Sequence, residues 1–202
     1  MTHRRECLPA VGNIGILGGS FDPAHAGHRH VTLWALHKFQ LDAVLWLISP
    51  GNPIKPEPFY SYASRVQRAR AIARHPRIII STLEECRSLT YTVDTITLLK
   101  RTNPHCRFLW LMGSDNLPDF HRWHAWRTLT GLVSIGVLER PAYRVAACTS
   151  IAARALACCR VPKDAAPTLA RLTPPAWTLV NIPLNPVSST MVRASVRHCL
   201  ST

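Results

Sequence analysis

The densest group of chemistry-bearing residues is Gly18-Gly19-Ser20-Phe21-Asp22-Pro23-Ala24-His25-Ala26-Gly27-His28. Two adjacent glycines let the main chain turn sharply and bring its N–H groups close to an anion. A helix N-terminus follows and adds a partial positive charge. His25 and His28 stand three apart, so at helical spacing they share one face. An imidazole there can donate a hydrogen bond to a phosphate oxygen, more strongly when protonated. The stretch is neither the dinucleotide fingerprint G-x-G-x-x-G nor the P-loop G-x-x-x-x-G-K-[ST]. A zinc site would lack a third ligand at suitable spacing.

A second constellation is Val187-Ser188-Ser189-Thr190-Met191-Val192-Arg193. Hydroxyls and N–H groups open a helix, and Arg193 lies about one turn in. That is a second cradle for phosphate. Taken singly, each stretch could be an ordinary capped helix. Together they offer two cradles for phosphate.

The elements that must position these residues follow from periodicity. Short apolar runs are read as buried strands: Asn13 to Gly18, Ala43 to Ile48, Arg77 to Ser81, Arg107 to Met112, Leu132 to Leu138 and Trp177 to Asn181. Between them lie helical patterns: Ala26 to Phe39, Ser61 to Arg74, Tyr91 to Arg101, a short one at Trp123 to Leu129, and Val145 to Arg160. Ser188 to Cys199 reads as a last helix. Six prolines between Val161 and Pro186 predict loops there. Strands that are nearly all apolar and alternate with helices argue an α/β fold, a doubly wound parallel sheet of Rossmann-like type with helices on both faces. In such sheets ligands bind beyond the carboxyl ends of the strands. Trp34, Trp46 and Trp110 fall inside predicted elements and are expected in the core.

Composition sets the bounds. The chain has 202 residues, 47% of them hydrophobic, enough for one domain to bury a full core without metals or disulfides. We expect a single domain over 1–202, with the sheet in 1–140 and the second phosphate helix in the C-terminal part, 141–202. No apolar stretch reaches the length of a membrane span. Met1 to Gly18 imitates a signal peptide, but Glu6, Gly12, Asn13 and Gly15 interrupt its apolar part. These features predict a cytoplasmic protein without membrane contact. The 24 Lys+Arg against 11 Asp+Glu give a formal charge of +13, which favours anionic partners. The arginines are scattered, as on a solvated surface, and a nucleic-acid-binding protein would cluster them with exposed aromatics. The seven cysteines contain no C-x-x-C pair and are read as free thiols.

Residues 18–28 match the G-[ST]-F-D-P-x-H-x-G-H motif of nucleotidyltransferases that move a nucleoside monophosphate from ATP or CTP. Residues 187–193 resemble the I-S-S-T-x-x-R motif of the same superfamily. Over nearly its whole length the chain resembles the bacterial nicotinate-nucleotide adenylyltransferase family. Ser49-Pro50-Gly51-Asn52-Pro53-Ile54-Lys55, Thr90-Tyr91-Thr92, Gly113-Ser114-Asp115-Asn116, Phe120-His121-Arg122-Trp123 and Glu139-Arg140-Pro141 each resemble a segment of that family. Val145 to Pro175 matches no segment residue by residue.

The resemblance implies a site. Gly18, Gly19, Ser20, Phe21, Gly113 and Asp115 would lie against ATP, with Asp115 on the ribose. His25, His28, Ser188, Ser189 and Arg193 would surround the phosphates, and His25, His28 and Arg193 would be catalytic. Trp123 would stack on the nicotinate ring, Thr92 would hold its carboxylate, and Lys55 would meet the mononucleotide phosphate. The implied reaction makes deamido-NAD and pyrophosphate from ATP and nicotinate mononucleotide. It is an in-line displacement with no covalent intermediate, and Mg2+ arrives on the ATP phosphates. Two alternatives on the same fold are transfer to nicotinamide mononucleotide and transfer to phosphopantetheine. Phosphopantetheine enzymes are shorter, with Thr where His25 stands; cytidylyltransferases usually carry an apolar residue in place of Pro23. The sequence is compatible with a homo-oligomer.

Overall fold

A computed structural model of the chain describes residues 8–51, 57–140, 142–183, 185, 187 and 189–200, the last six without their side chains. Lys55, Ser188 and Pro141, singled out above, lie outside the described residues.

Six parallel strands form one sheet. They are β1 (Gly12–Gly19), β2 (Ala43–Ile48), β3 (Ile78–Ser81), β4 (Cys106–Gly113), β5 (Ser134–Leu138) and β6 (Trp177–Val180), in the spatial order β3-β2-β1-β4-β5-β6. The chain runs outward from β1 to β3, then returns to the other side of β1 with β4. The strand order therefore reverses between β1 and β4, and a crevice opens at their carboxyl ends. This is the expected α/β fold.

Side chains alternate across the sheet and build a core on each face. Leu17, Val44, Trp46, Ile48, Leu109 and Leu111 meet α1 (Ala26–Lys38), α2 (Tyr62–Ala73) and a 3-10 segment, Lys163–Arg171. Ile14, Ile16, Leu45, Leu47, Phe108, Trp110 and Met112 face the other way. They meet α4 (Thr92–Thr102), α5 (Trp126–Leu132), α6 (Arg144–Thr149) and α7 (Ile151–Ala155). The short α3 (Leu83–Cys86) is tied to α4 where Thr95 donates to the buried Glu84 carboxylate, whose pKa burial raises. The final helix, α8 (Ser189–Leu200), follows β6.

Several expectations are corrected. The single helix expected over Val145–Arg160 is broken at Ser150. Its backbone is extended, and its hydroxyl accepts from Ala153 N, ending α6 and capping α7. The segment with Pro167, expected as loop, is a 3-10 helix that packs Ala166, Leu169 and Ala170 onto the sheet. The α5 helix starts three residues later than expected. Phe120–Arg122 first makes a 3-10 turn, and Ala125 sits at φ 47 before the helix begins. Trp46 and Trp110 are core, but Trp34 is half-buried among His30, His37 and Lys38. Among the described residues, no helix is long and apolar enough to cross a membrane.

Candidate active site

The crevice at the strand-order reversal is bordered by Gly18 and Gly19 on β1 and Gly113 on β4. Gly18 is required by a close approach. A Cβ there would run into the far edge of the Trp110 ring. Phe21 turns the chain at φ 46, a left-handed backbone that costs a non-glycine residue energy. Its ring is 1% exposed, stacked on Trp46 with centroids 4.9 Å apart, and 4.7 Å from the His28 ring. Only the main chain of Phe21 can therefore meet a ligand.

The two histidines cap α1 reciprocally. His25 Nδ1 accepts from Gly27 N at 3.1 Å, and His28 Nδ1 accepts from His25 N at 3.2 Å. A main-chain N–H can only donate, so neither Nδ1 carries a proton in this geometry. In each neutral ring the proton is on Nε2. The rings are 3.9 Å apart. Burial, and then the nearby Arg140 guanidinium, lower the His25 pKa to about 4, so this ring is neutral at pH 7. Thr32 anchors the same turn: its hydroxyl donates to His28 O and accepts from the Trp46 indole, both at 2.8 Å.

The second motif closes onto the first. Ser189 Oγ donates to Pro23 O at 3.1 Å. Arg193 Nη1 donates to Asp22 O, and Nη2 to Thr190 Oγ1 at 3.2 Å. The structure thus brings His25, His28, Ser189 and Arg193 to one place. In it the hydroxyl and guanidinium hold the loop itself. Gly27 permits the contact, since a Cβ there would stand 2.7 Å from Val187 O.

At the far lip of the crevice, Arg140 Nη1 pairs with Asp115 Oδ2 at 3.3 Å, and Arg140 N donates to Ser114 Oγ at 2.8 Å. A narrow cleft lined by Gly27, Val31, Glu139, Arg140, Ile182 and Val187 runs from here along α1. On the other side of Trp110, Trp123 packs edge-on against it with centroids 5.8 Å apart, and against Phe120 at 5.3 Å. Tyr91 stacks on His124 at 4.1 Å, which joins the residue before α4 to the segment that carries Trp123. Trp110 therefore lies between the glycine turn and Trp123. Its indole N–H is buried without a partner.

Two arginines were missed as site residues. Arg140 was noted only as part of a matching segment. Arg65 was counted among the arginines of a solvated surface, yet it is 1% exposed. Its guanidinium donates to the carbonyls of Ser20, Ser49 and Pro50. Burial lowers its pKa from the usual value, and the Asp22 charge opposes that. The signal was available: Arg65 falls on the buried stripe of α2 with Val66, Ala69 and Ala73.

Among the described residues, no group of three His, Cys, Asp or Glu side chains could hold a metal ion. The site is a crevice bordered by the glycine turn and the histidine pair, flanked by the packed rings of Trp110, Phe120 and Trp123. Fold and site together define a nucleotidyltransferase class. Residues 16–195 match the cytidylyltransferase-like family, and the chain belongs to it. Within that family it falls among the nicotinate-nucleotide adenylyltransferases. It is 48% identical to the "Probable nicotinate-nucleotide adenylyltransferase" of Cereibacter sphaeroides, over 91% of this chain and 97% of that one. It is also 48% identical to the protein of that name from Ruegeria pomeroyi, over 90% of this chain and 85% of that one. Among solved structures, the nicotinic acid mononucleotide adenylyltransferase of Plasmodium falciparum, complexed with NaAD, superposes with a TM-score of 0.66. It is 21% identical and covers 90% of this chain and 82% of its own, a likeness of fold.

Proposed function

We propose that this enzyme transfers the adenylyl group of ATP to nicotinate mononucleotide, giving deamido-NAD and pyrophosphate. The observation that carries the chemistry is the pair of histidines whose Nδ1 atoms are both occupied by α1 cap bonds. Each ring is left with its proton on Nε2, as a donor for phosphate oxygens.

In the reaction, an oxygen of the mononucleotide phosphate attacks the α-phosphorus of ATP. A P–O bond forms, the α–β bridging P–O bond breaks, and pyrophosphate leaves with the electron pair. No side chain has to become covalently attached. His25 and His28 donate from Nε2 to the transferred phosphoryl group, where charge is redistributed in the transition state. The loop Gly18–Phe21 supplies main-chain N–H groups, and the first turn of α8, with Ser189 and Arg193, lies against the same phosphates. Asp115, beside Gly113, takes the ribose. Mg2+ belongs to the substrate as MgATP, held by phosphate oxygens and water.

Trp123 stacks on the nicotinate ring. Its carboxylate meets the N-terminus of α4, where Thr92 and Val93 N–H have no intrahelical acceptor by helix geometry. The helix dipole favours a carboxylate there over a neutral amide. The test is pyrophosphate release with MgATP, run in parallel with nicotinate mononucleotide, nicotinamide mononucleotide and phosphopantetheine. Release with the nicotinate form, and far less with the others, is expected. Equal release with the amide removes the assigned selectivity, and release only with phosphopantetheine overturns the reading.

A further inference from the structure

Cys158 and Cys159 are neighbours in sequence and in space. Their Sγ atoms stand 3.6 Å apart in the 3-10 turn Ala157–Cys159, which links α7 to the segment beside β6. Cys158 is exposed, and Cys159 is half-buried against the core. The other described thiols are placed elsewhere: Cys86 contacts Thr82 Oγ1, Cys106 donates to Pro9 O, and Cys148 belongs to α6. The adenylyl-transfer reading makes no use of the pair.

The turn that carries the two thiols is a junction. Leu156 O accepts from Cys159 N at 3.0 Å and from the Trp177 indole N–H at 2.8 Å. Arg160 N donates to Ala157 O at 3.2 Å, and Arg160 then bridges to Trp177, with its guanidinium 5.1 Å from the ring centroid. Val161 N donates to Trp177 O at 2.9 Å. The thiols therefore sit where the chain begins to cover the outer edge of β6, the last strand of the sheet. The peptide between them is trans, which sets their Cα atoms about 3.8 Å apart. Ordinary disulfides join Cα atoms at least about 4.4 Å apart. A bridge between Cys158 and Cys159 would close a small ring that contains their own peptide bond. Such a ring is strained, and strained disulfides are the ones that small thiols reopen.

We propose that Cys158 and Cys159 are a modification site, which a low-molecular-weight disulfide oxidises to a reversible disulfide between neighbours. The exposed Cys158 reacts first. Its thiolate attacks one sulfur of the small disulfide and forms a mixed disulfide. One small thiolate leaves with the electron pair and takes up the proton that Cys158 lost. The Cys159 thiolate then attacks Cys158 Sγ, the intrachain S–S bond forms, and the second small thiolate leaves and is protonated in turn. Two S–H groups are oxidised, and one small disulfide is reduced to two thiols. The hydrogen bond with Cys158, then burial, raise the Cys159 pKa. Cys159 therefore stays a thiol until its neighbour is occupied. Closing the ring twists the peptide that carries Cys159 N–H, so its bond to Leu156 O is lost and the junction with Trp177 loosens.

The test uses the full chain, first reduced and then treated with excess oxidised glutathione. Remaining thiols are alkylated and the peptides mapped by mass spectrometry. The wild-type peptide that holds both cysteines should lose two hydrogen atoms and carry neither glutathione nor alkyl group. Cys159→Ser should stop at a glutathione adduct on Cys158, whereas Cys86→Ser should behave as the wild type. Excess reduced glutathione should reopen the bridge. Hydrogen exchange at the Val161 amide and the Trp177 indole should speed up on oxidation and return on reduction. A lasting glutathione adduct on wild-type Cys158, a bridge from either residue to a different cysteine, or two unmodified thiols overturns the proposal. So does a bridge that reduced glutathione cannot reopen, since that is a structural disulfide. Unchanged exchange at Val161 and Trp177 in the bridged protein overturns the link to β6.

Discussion

Arg193 Nη1 donates to the main-chain carbonyl of Asp22 at 2.5 Å and stands 3.7 Å from its carboxylate, across 171 positions of sequence. With Ser189 bonded to Pro23 O, the start of α8 is latched onto the turn that leads into α1. The two phosphate motifs are thus one object, and a change in either is felt by the other.

Removing the latch should therefore cost stability as well as activity. Arg193→Ala is expected to destabilise the fold by about 1.5–3 kcal/mol, the range for hydrogen bonds made by a charged group. Arg193→Lys keeps the charge but loses the fork, and should recover only part of that loss. Urea titrations of the three proteins, read against pyrophosphate release, check both effects. Equal stability in all three would mean that the latch contributes nothing.

His28→Ala removes a phosphate donor and also the acceptor for His25 N–H. Turnover should fall by about 10²-fold or more, as for loss of one transition-state donor. The ATP Kd should change far less than kcat, because the bond matters most when charge is moving. Steady-state kinetics with a parallel binding measurement separates the two. Normal turnover would remove His28 from the mechanism.

His25 gives a pH signature. Its pKa is lowered to about 4 in the fold, against 6.5 in an unfolded chain. As pH falls from 6.5 toward 4, the unfolded state takes up the proton first. The stability from this group is thus fully present above pH 6.5 and is lost as pH falls through that window. At pH 5 the loss relative to pH 7 should be about 2 kcal/mol. His25→Asn keeps a side-chain acceptor for the cap and should flatten this part of the dependence. Urea unfolding at pH 7 and pH 5 decides it, and an identical slope in the variant would assign the dependence to another group.

Trp123 should matter to one substrate only. Trp123→Ala is expected to raise KM for nicotinate mononucleotide about tenfold, a stacking contribution of roughly 1 kcal/mol plus lost contact area. The KM for ATP should stay within about twofold by the same argument, and Trp123→Phe should restore most of the loss. Initial rates with each substrate varied in turn give the comparison.

Chelation provides a simpler check. EDTA in excess over Mg2+ should abolish pyrophosphate release, and added Mg2+ should restore it, since the ion is carried by ATP phosphates. Full activity in EDTA would exclude MgATP as the reacting form.

Much of this was legible in the sequence. The run Ala43–Ile48 contains six residues, all buried, and a strand covered on both faces has that composition. The glycine turn and paired histidines could be read directly because main-chain approach and imidazole donation depend on residue type and local spacing. What escaped depends on contacts between distant segments. Arg65 looks like any helical arginine until Ser20, Ser49 and Pro50 are folded around it. Arg193 was expected on phosphate, and its bond to Asp22 O could not be read from either motif alone. The break at Ser150 was available as a capping residue, but the alanines around it carry a helical pattern straight through. The left-handed Ala125, which delays α5, has no signal in residue type at all.

The span from Asp22 to Arg193 also orders events during synthesis. A chain emerging from a ribosome exposes the histidine pair early, whereas the latch comes 171 positions later. At typical elongation rates of about 5–20 residues per second, that is a delay on the order of ten seconds or more. In that interval the nascent chain has its first strands and its histidines but no closed phosphate cradle. Substrate-dependent stabilisation thus begins only once Arg193 has emerged, and a truncated product lacking Arg193 forfeits it.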